Sequence, residues 1–223
     1  MHGKRCLIFE NPVSDAVSSV RFCSGSNNLL VSSWDCKLRL YDIDCDLLRL
    51  EAHYDAALLD CCFQDDYNVF SAASNGSIES CDLLSGANSS LGSHDDVATC
   101  VQYSHHTCQV VSAGFDKKLI CWDTRSANKQ TYTKHLTKEV SCMTLCGFDL
   151  TAAVGATINV FDLRNLGSPI EINGLLKGAQ INCVVSTLHC VGYAVGTVDG
   201  RVALDITDTS NSGNMGLDTS NSK

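Results

Sequence analysis

Cys121-Trp122-Asp123 ends an apolar stretch on a closing aspartate, and the chain does the same at Tyr41-Asp42, Cys81-Asp82, Phe161-Asp162 and Leu204-Asp205. Successive closing aspartates are 40, 41, 39 and 43 residues apart. A unit of about 40 to 45 residues that closes on a Trp-Asp-like pair marks a four-stranded β-propeller blade. The fold class read from this stretch is therefore all-β, a propeller of about five blades.

Working outward, each unit places a turn residue seven or six positions before its closing aspartate: Asp35, Asn75, Asp116, Gly155 and Asp199. Asp and Asn bond their own backbone two residues on, and Gly tolerates positive φ, so each suits a tight hairpin. Two units also carry a histidine 29 residues before the closing aspartate, His53 and His94. In the third unit His94, Ser112, Asp116 and Trp122 fall where WD-repeat proteins place a hydrogen-bonded structural tetrad. Such a tetrad satisfies polar groups whose unpaired burial costs roughly 1 to 3 kcal/mol each. A Ser-His-Asp catalytic reading needs an exposed nucleophile, and no Gly-x-Ser-x-Gly turn surrounds Ser112, so no catalytic residue is expected. The second unit keeps His53, Ser71 and Asn75, with Cys81 for the tryptophan.

Composition excludes several classes. The 223 residues carry 44% apolar side chains, only two prolines and no apolar run near 18 residues, so no membrane span is expected. The opening Met1 to Arg5 runs into Cys6-Leu7-Ile8-Phe9, too short for a secretory core, and points to an intracellular protein. Fourteen cysteines sit mostly inside apolar strands, as at Cys23, Cys62, Cys100, Cys121 and Cys142, and read as small core residues in a reducing compartment. There is no Cys-x-x-Cys; Cys142-x-x-x-Cys146 shares a strand face, and His105-His106-Thr107-Cys108 falls at a turn, so neither metal nor cofactor is expected. A net charge of −9 without clustered Lys or Arg argues against direct nucleic-acid binding.

Strands are expected in the first blade at 17–23, 29–33, 37–42 and 47–51. The inner strands of the next three begin at 57–63, 97–103 and 140–145. The fifth unit shows 181–186, 191–197 and 201–206 and then stops short of an outer strand. This divides the chain into a partial propeller over 1–206, with blades near 12–51, 52–92, 93–134, 135–173 and 174–206, and a tail at 207–223. In the tail Asp-Thr-Ser-Asn-Ser occurs twice, at 208–212 and 218–222, a composition expected to stay disordered. Residues 6–10 read as the strand that completes the last blade of a closed ring. Five blades close only if Leu7-Ile8-Phe9 supplies the outer strand of the fifth. Otherwise the chain is an open arc with a vulnerable edge, either needing a partner to cover it or, the favoured reading, C-terminally truncated.

Several stretches go beyond generic blade spacing: Glu10-Asn11-Pro12, Ser32-Ser33-Trp34-Asp35, Leu38-Arg39-Leu40-Tyr41-Asp42, Val160-Phe161-Asp162-Leu163-Arg164-Asn165-Leu166-Gly167 and Val198-Asp199-Gly200-Arg201-Val202-Ala203. On these the chain resembles the plant-type members of the Bub family of mitotic-checkpoint WD-repeat proteins, over residues 10–206. The resemblance implies a seven-bladed ring. It further implies a non-enzymatic adaptor of the spindle assembly checkpoint, found in the nucleus, the cytoplasm and at kinetochores in mitosis. Such an adaptor carries Bub-type checkpoint kinases to a phosphorylated kinetochore scaffold and grips an acidic kinase segment on its top face. The positions implied for partner binding are Trp34, Phe115, Asn182, Asp199 and Arg201. Asn182 stands where similar proteins have an arginine, which removes a charge-assisted contact. Trp34 and Phe115 precede turn aspartates and either present aromatic area to a partner or pack between blades; the sequence leaves both open.

A second class remains in view. Asp123-Thr124-Arg125 and Asp162-Leu163-Arg164 resemble the Asp-x-Arg ending by which substrate receptors of cullin-type ubiquitin ligases touch their adaptor, which would give Arg125 and Arg164 that role. The same arginines could instead pair with a nearby carboxylate. A sister family in messenger-RNA export shares the blade pattern. An enzyme is least supported, because the sequence has no phosphate loop, metal spacing or nucleophile elbow.

Overall fold

The computed structural model describes residues 12–173, 178–187 and 190–206. Every named element is a strand, and the nineteen strands form five antiparallel sheets. The first sheet is β1 (Val17–Phe22), β2 (Asn28–Ser33), β3 (Lys37–Asp42) and β4 (Leu47–His53). The second is β5 (Leu58–Phe63), β6 (Asn68–Ala73), β7 (Ser77–Asp82) and β8 (Asn88–Ser93). The third is β9 (Ala98–Ser104), β10 (Gln109–Gly114), β11 (Lys118–Trp122) and β12 (Gln130–His135). The fourth is β13 (Val140–Cys146), β14 (Asp149–Val154), β15 (Thr157–Asp162) and β16 (Glu171–Asn173). The fifth has three strands, β17 (Ile181–Ser186), β18 (Gly192–Thr197) and β19 (Val202–Ile206). Within each sheet sequence neighbours are spatial neighbours, the meander of a propeller blade.

The inner strands β1, β5, β9, β13 and β17 stand side by side. Each carries one residue more than its partner at the same place: the register slips past Ser18, Leu59, Thr99, Ser141 and Asn182. A bulge of this kind sharpens the local twist, and here it does so at an equivalent point in every sheet. Residues of all five strands line an open channel of about 320 Å³.

The apolar core lies between sheets. Leu30, Leu38 and Leu40 of the first sheet meet Leu58, Cys61 and Val69 of the second. Phe70 and Ile78 then meet Val101, Val110 and Trp122 of the third. Val111 and Leu119 meet Val140, Leu150 and Phe161 of the fourth. Each fully buried side chain of this size contributes about 1.5 to 3 kcal/mol, so neighbouring blades stabilise one another rather than themselves. The fifth sheet is held from one side, with Ile181, Val184, Tyr193 and Val195 against Ala153, Ile158 and Val160. Val20 and Phe22 on β1, and Val202, Leu204 and Ile206 on β19, are exposed at the two ends of the array.

Most cysteines are where apolar strands put them. Cys61, Cys62, Cys81, Cys100 and Cys121 are buried and free, and burial pushes the Cys61 and Cys121 thiols up to about 12. The expectation of reduced cysteines throughout fails at one place: Cys146 and Cys190 form a disulfide, with Cα atoms 5.5 Å apart. The end of β13 and the turn before β18 meet there, a proximity that spacing along the chain does not reveal. The strand expected at 6–10 and the tail expected at 207–223 lie outside the described residues.

Candidate partner-binding face

The turns between the second and third strand of each sheet lie on one face, and one hydrogen bond fixes them alike. Trp34, Ser74, Phe115 and Gly155 each donate a backbone N–H, at 2.9 Å, to the carbonyl of Ala16, Ala57, Val97 and Glu139 respectively, and Val198 does so to Gln180 at 3.0 Å. These five residues are therefore equivalent, at the corner where each blade meets the entry to its inner strand; Gly155, expected to match the turn acids, matches instead the residue before them, because its turn is shorter. Three of them are large and open to solvent: Trp34 is 53% exposed, Phe115 45% and Val198 63%. The alternative left open for Trp34 and Phe115, packing between blades, is not the arrangement found.

The other two corners are small, and the size difference makes a cavity. With Gly155 beside Phe115, a hollow of about 650 Å³ opens over the fourth blade, edged by Phe115, Lys138, Ala156, Ala179 and Gln180. Gly155 has φ 59°, a backbone that favours glycine, and its turn has only two residues, since Val154 pairs directly with Thr157. A Cβ there would press on the Lys138 stem at 3.2 Å, so glycine also lets that lysine lie along the rim.

The turn acids on this face are already engaged. Arg39 reaches Asp35, and both side chains are nearly sealed from water. Arg201 holds Asp199 through Nε at 2.9 Å and Nη2 at 2.6 Å, so the two residues expected to bind a partner bind each other first. That pairing, with the Thr197 hydroxyl, holds the Asp199 carboxyl at about 2. Asn182 does not line the hollow; it is the bulge residue of β17 and faces the channel.

The third sheet joins the four residues of the expected tetrad. Trp122 Nε1–H donates to Ser112 Oγ at 2.8 Å, and Ser112 Oγ lies 2.7 Å from His94 Nε2. His94 Nδ1 lies 3.0 Å from both Asp116 oxygens. One neutral arrangement satisfies every group: Ser112 donates to Nε2, and Nδ1–H donates to Asp116. Burial lowers the His94 pKa, against the pull of Asp116, in keeping with that neutral ring. Ser112 is fully buried, which bars it from acting as a nucleophile on an outside substrate.

His53 does not play the corresponding part in the second sheet. Its ring is exposed, 3.5 Å from Glu51, and it pairs across the ladder with Lys37. Tyr54 is the true counterpart of His94: Tyr54 donates its N–H to Cys36 at 2.8 Å as His94 does to Gly76 at 2.9 Å. Its hydroxyl is turned inward, and burial raises its pKa.

Arg125 and Arg164 sit after the third strands of their blades, on the opposite face. Each pairs with the aspartate two residues before it, Asp123 at 3.6 Å and Asp162 at 2.6 Å, and Arg164 also lies 4.7 Å from the Phe148 ring centre. Sequence reasoning missed Val198, Lys138 and Arg39. Val198 could have been found by aligning the residue that precedes each turn acid. The other two act through contacts that spacing does not encode.

Comparison with known proteins agrees with this architecture. The model of the family described as "WD domain, G-beta repeat" matches residues 3–42 and 87–123. Over 210 residues the chain is 44% identical to mitotic checkpoint protein BUB3.3 of Arabidopsis thaliana, covering 94% of this chain and 67% of the relative. It is 38% identical to BUB3.1 of the same plant, covering 90% of this chain and 60% of the relative. A chain in a crystal structure of the mitotic checkpoint complex superposes with a TM-score of 0.75 at 18% identity, covering 87% of this chain and 62% of that one, a likeness of fold. Five repeated sheets and sequence identity that runs along nearly the whole chain lead to one assignment: the chain belongs to the BUB3 family of mitotic checkpoint WD-repeat proteins.

Proposed function

We propose that this chain serves as a non-enzymatic adaptor of the spindle assembly checkpoint, presenting the face of Trp34, Phe115 and Val198 to short segments of checkpoint kinases and of a phosphorylated kinetochore scaffold. The observation that carries the reading is the exposed Phe115 at the edge of the hollow over Gly155, with Trp34 and Val198 exposed at equivalent corners of the same face. Aromatic side chains beside a pocket are the usual anchors of a protein interface. Lys138 on the rim supplies a positive charge for an acidic segment, a role that Asn182 in the channel cannot fill. The identity to plant checkpoint proteins supports the same reading. The chain spans 60% to 67% of those relatives' length. Nucleus and kinetochore, with a cytoplasmic pool, are the places where such an adaptor acts.

The test is affinity purification of tagged 1–223 from mitotic and interphase cells, wild type beside Phe115→Ala, with the bound proteins identified by mass spectrometry. Mitotic enrichment of checkpoint kinases that Phe115→Ala abolishes supports the proposal. Recovery of kinases indifferent to Phe115 sinks the assignment of the face. Recovery of a cullin adaptor dependent on Arg125 and Arg164 sinks the function in favour of a ubiquitin-ligase receptor.

A further inference from the structure

Four cysteines lie along the seam between the fourth and fifth sheets. β13 carries Cys142 and Cys146; the fifth sheet carries Cys183 on β17 and Cys190 in the turn before β18. Besides the apolar cluster of Ala153, Ile158 and Val160 with Ile181, Val184, Tyr193 and Val195, hydrogen bonds cross the seam. Ser141 Oγ donates to the Ile181 carbonyl at 3.0 Å, the Thr144 and Ser186 hydroxyls share a hydrogen bond of 3.1 Å, and Ser186 N–H donates to Thr144 Oγ1 at 3.3 Å. The Cys146–Cys190 bond, which spans 44 positions, adds a covalent link between the two sheets. No other blade junction among the described residues has a covalent tie.

Position gives that bond its effect. Among the described residues the fifth sheet has apolar support from the fourth alone, and Val202, Leu204 and Ile206 of β19 are exposed. A sheet held by a single interface opens more readily than one packed between two neighbours. Cys190 is exposed, Cys146 is half-buried, and a hollow of about 90 Å³ edged by both cysteines, Ser186 and Tyr193 lies beside them. A small thiol reagent can therefore reach the bond without prior unfolding.

We propose that Cys146–Cys190 is a redox-operated latch that fixes the β17–β18 hairpin to the fourth blade when formed and frees it when reduced. The reductant is a dithiol. One of its thiolates attacks Cys190 Sγ, the sulfur–sulfur bond breaks, and Cys146 departs as a thiolate, leaving a mixed disulfide on Cys190. The second thiol attacks that bond and releases the Cys190 thiolate. Two electrons pass from the dithiol to the protein, its two protons end on Cys146 and Cys190, and the dithiol becomes a disulfide. A glutathione-disulfide pool drives the reverse reaction, with two glutathione thiols as products.

The test uses the whole 223-residue chain. Equilibrated with glutathione disulfide and digested without reductant, it yields a peptide joining Cys146 to Cys190 that dithiothreitol abolishes. Amide exchange followed by mass spectrometry then runs at least 10-fold faster in β17–β19 after reduction, with β5–β12 unchanged. The Cys146→Ser/Cys190→Ser variant exchanges at the fast rate under both conditions. Absence of the joined peptide overturns the proposal, as does equal exchange in the two states. A loss of protection spread over all five sheets likewise overturns it, because a latch acts locally.

Discussion

Arg39 grips Asp35 with two prongs, Nη1 3.1 Å from Oδ1 and Nη2 2.7 Å from Oδ2. The pair belongs to a wider rule in this chain, that an acidic turn residue brings its own hydrogen-bond donor. Asp116 has the neutral His94 ring and Asp199 has Arg201, whereas the neutral Asn75 takes only the Ser77 N–H at 3.0 Å. A turn acid tucked against a blade is costly unless paired, and each blade solves this separately.

Removing the cation should therefore cost more than removing the acid. Burial pushes the Asp35 carboxyl up, but Arg39 and the Ser14 contacts outweigh it and hold it well below the usual carboxylate range. Arg39→Leu strands that carboxylate and is expected to cost on the order of 3 kcal/mol, while Asp35→Asn costs roughly half as much because Arg39 keeps Glu51 at 3.0 Å. Urea denaturation of the two variants checks the order; a milder effect for Arg39→Leu refutes it.

The tetrad makes stability depend on pH. Because burial lowers the His94 pKa in the fold, the unfolded chain takes up the proton more readily. The His94 contribution is thus complete above the ordinary value of 6.5 and declines as pH falls from there toward the lowered value. Urea midpoints of wild type should drop more steeply between pH 6.5 and 5.5 than those of His94→Gln, and parallel curves would refute the assignment. Ser112→Ala leaves Trp122 Nε1–H and His94 Nε2 unpaired and should cost roughly 1 to 3 kcal/mol at pH 7.5.

The blades were legible in the sequence because each closing aspartate ends a third strand, and strand period is local. The tetrad in the third unit was legible for the same reason. Counting 29 residues back chose His53 in the second unit and missed Tyr54, because the connection between the first two strands is not constant. Five residues separate the paired Phe63 and Val69, and six separate Tyr103 and Val110. That single extra residue shifts the count without disturbing the sheet. The exposure of Trp34 and Phe115, the closed pair Asp199–Arg201 and the disulfide depend on what lies across a gap between blades, which no periodic pattern records.

Gly92 tests the packing of the second blade on the third. It lies on the outer strand β8 with its α-carbon against the Trp122 indole, so a Cβ there would fall inside the ring's contact distance. Gly92→Ala must push Trp122 off Ser112 or part the two sheets, and is expected to cost about 1 to 3 kcal/mol. Gly25→Ala, whose Cβ meets only Asp66 at an ordinary 3.4 Å, should be close to neutral. Equal urea midpoints for the two variants would mean the blades give way more easily than their packing implies.

The candidate face can be separated from the fold by changing only its exposed residues. Phe115 is 45% exposed and its backbone hydrogen bond to Val97 survives truncation, so Phe115→Ala should leave the stability within about 0.5 kcal/mol of wild type. Loss of an aromatic anchor at a pocket edge should nonetheless weaken a bound kinase segment about 10-fold or more. Ala156→Trp approaches the same hollow from an exposed turn position and fills it instead of baring it. A partner seated there is excluded by the added ring, whereas one bound through the opposite face at Arg125 and Arg164 is indifferent to both changes. Titration of a fluorescent checkpoint-kinase segment against the three proteins distinguishes these cases, and unchanged affinity in both variants would remove the hollow over Gly155 from the binding face.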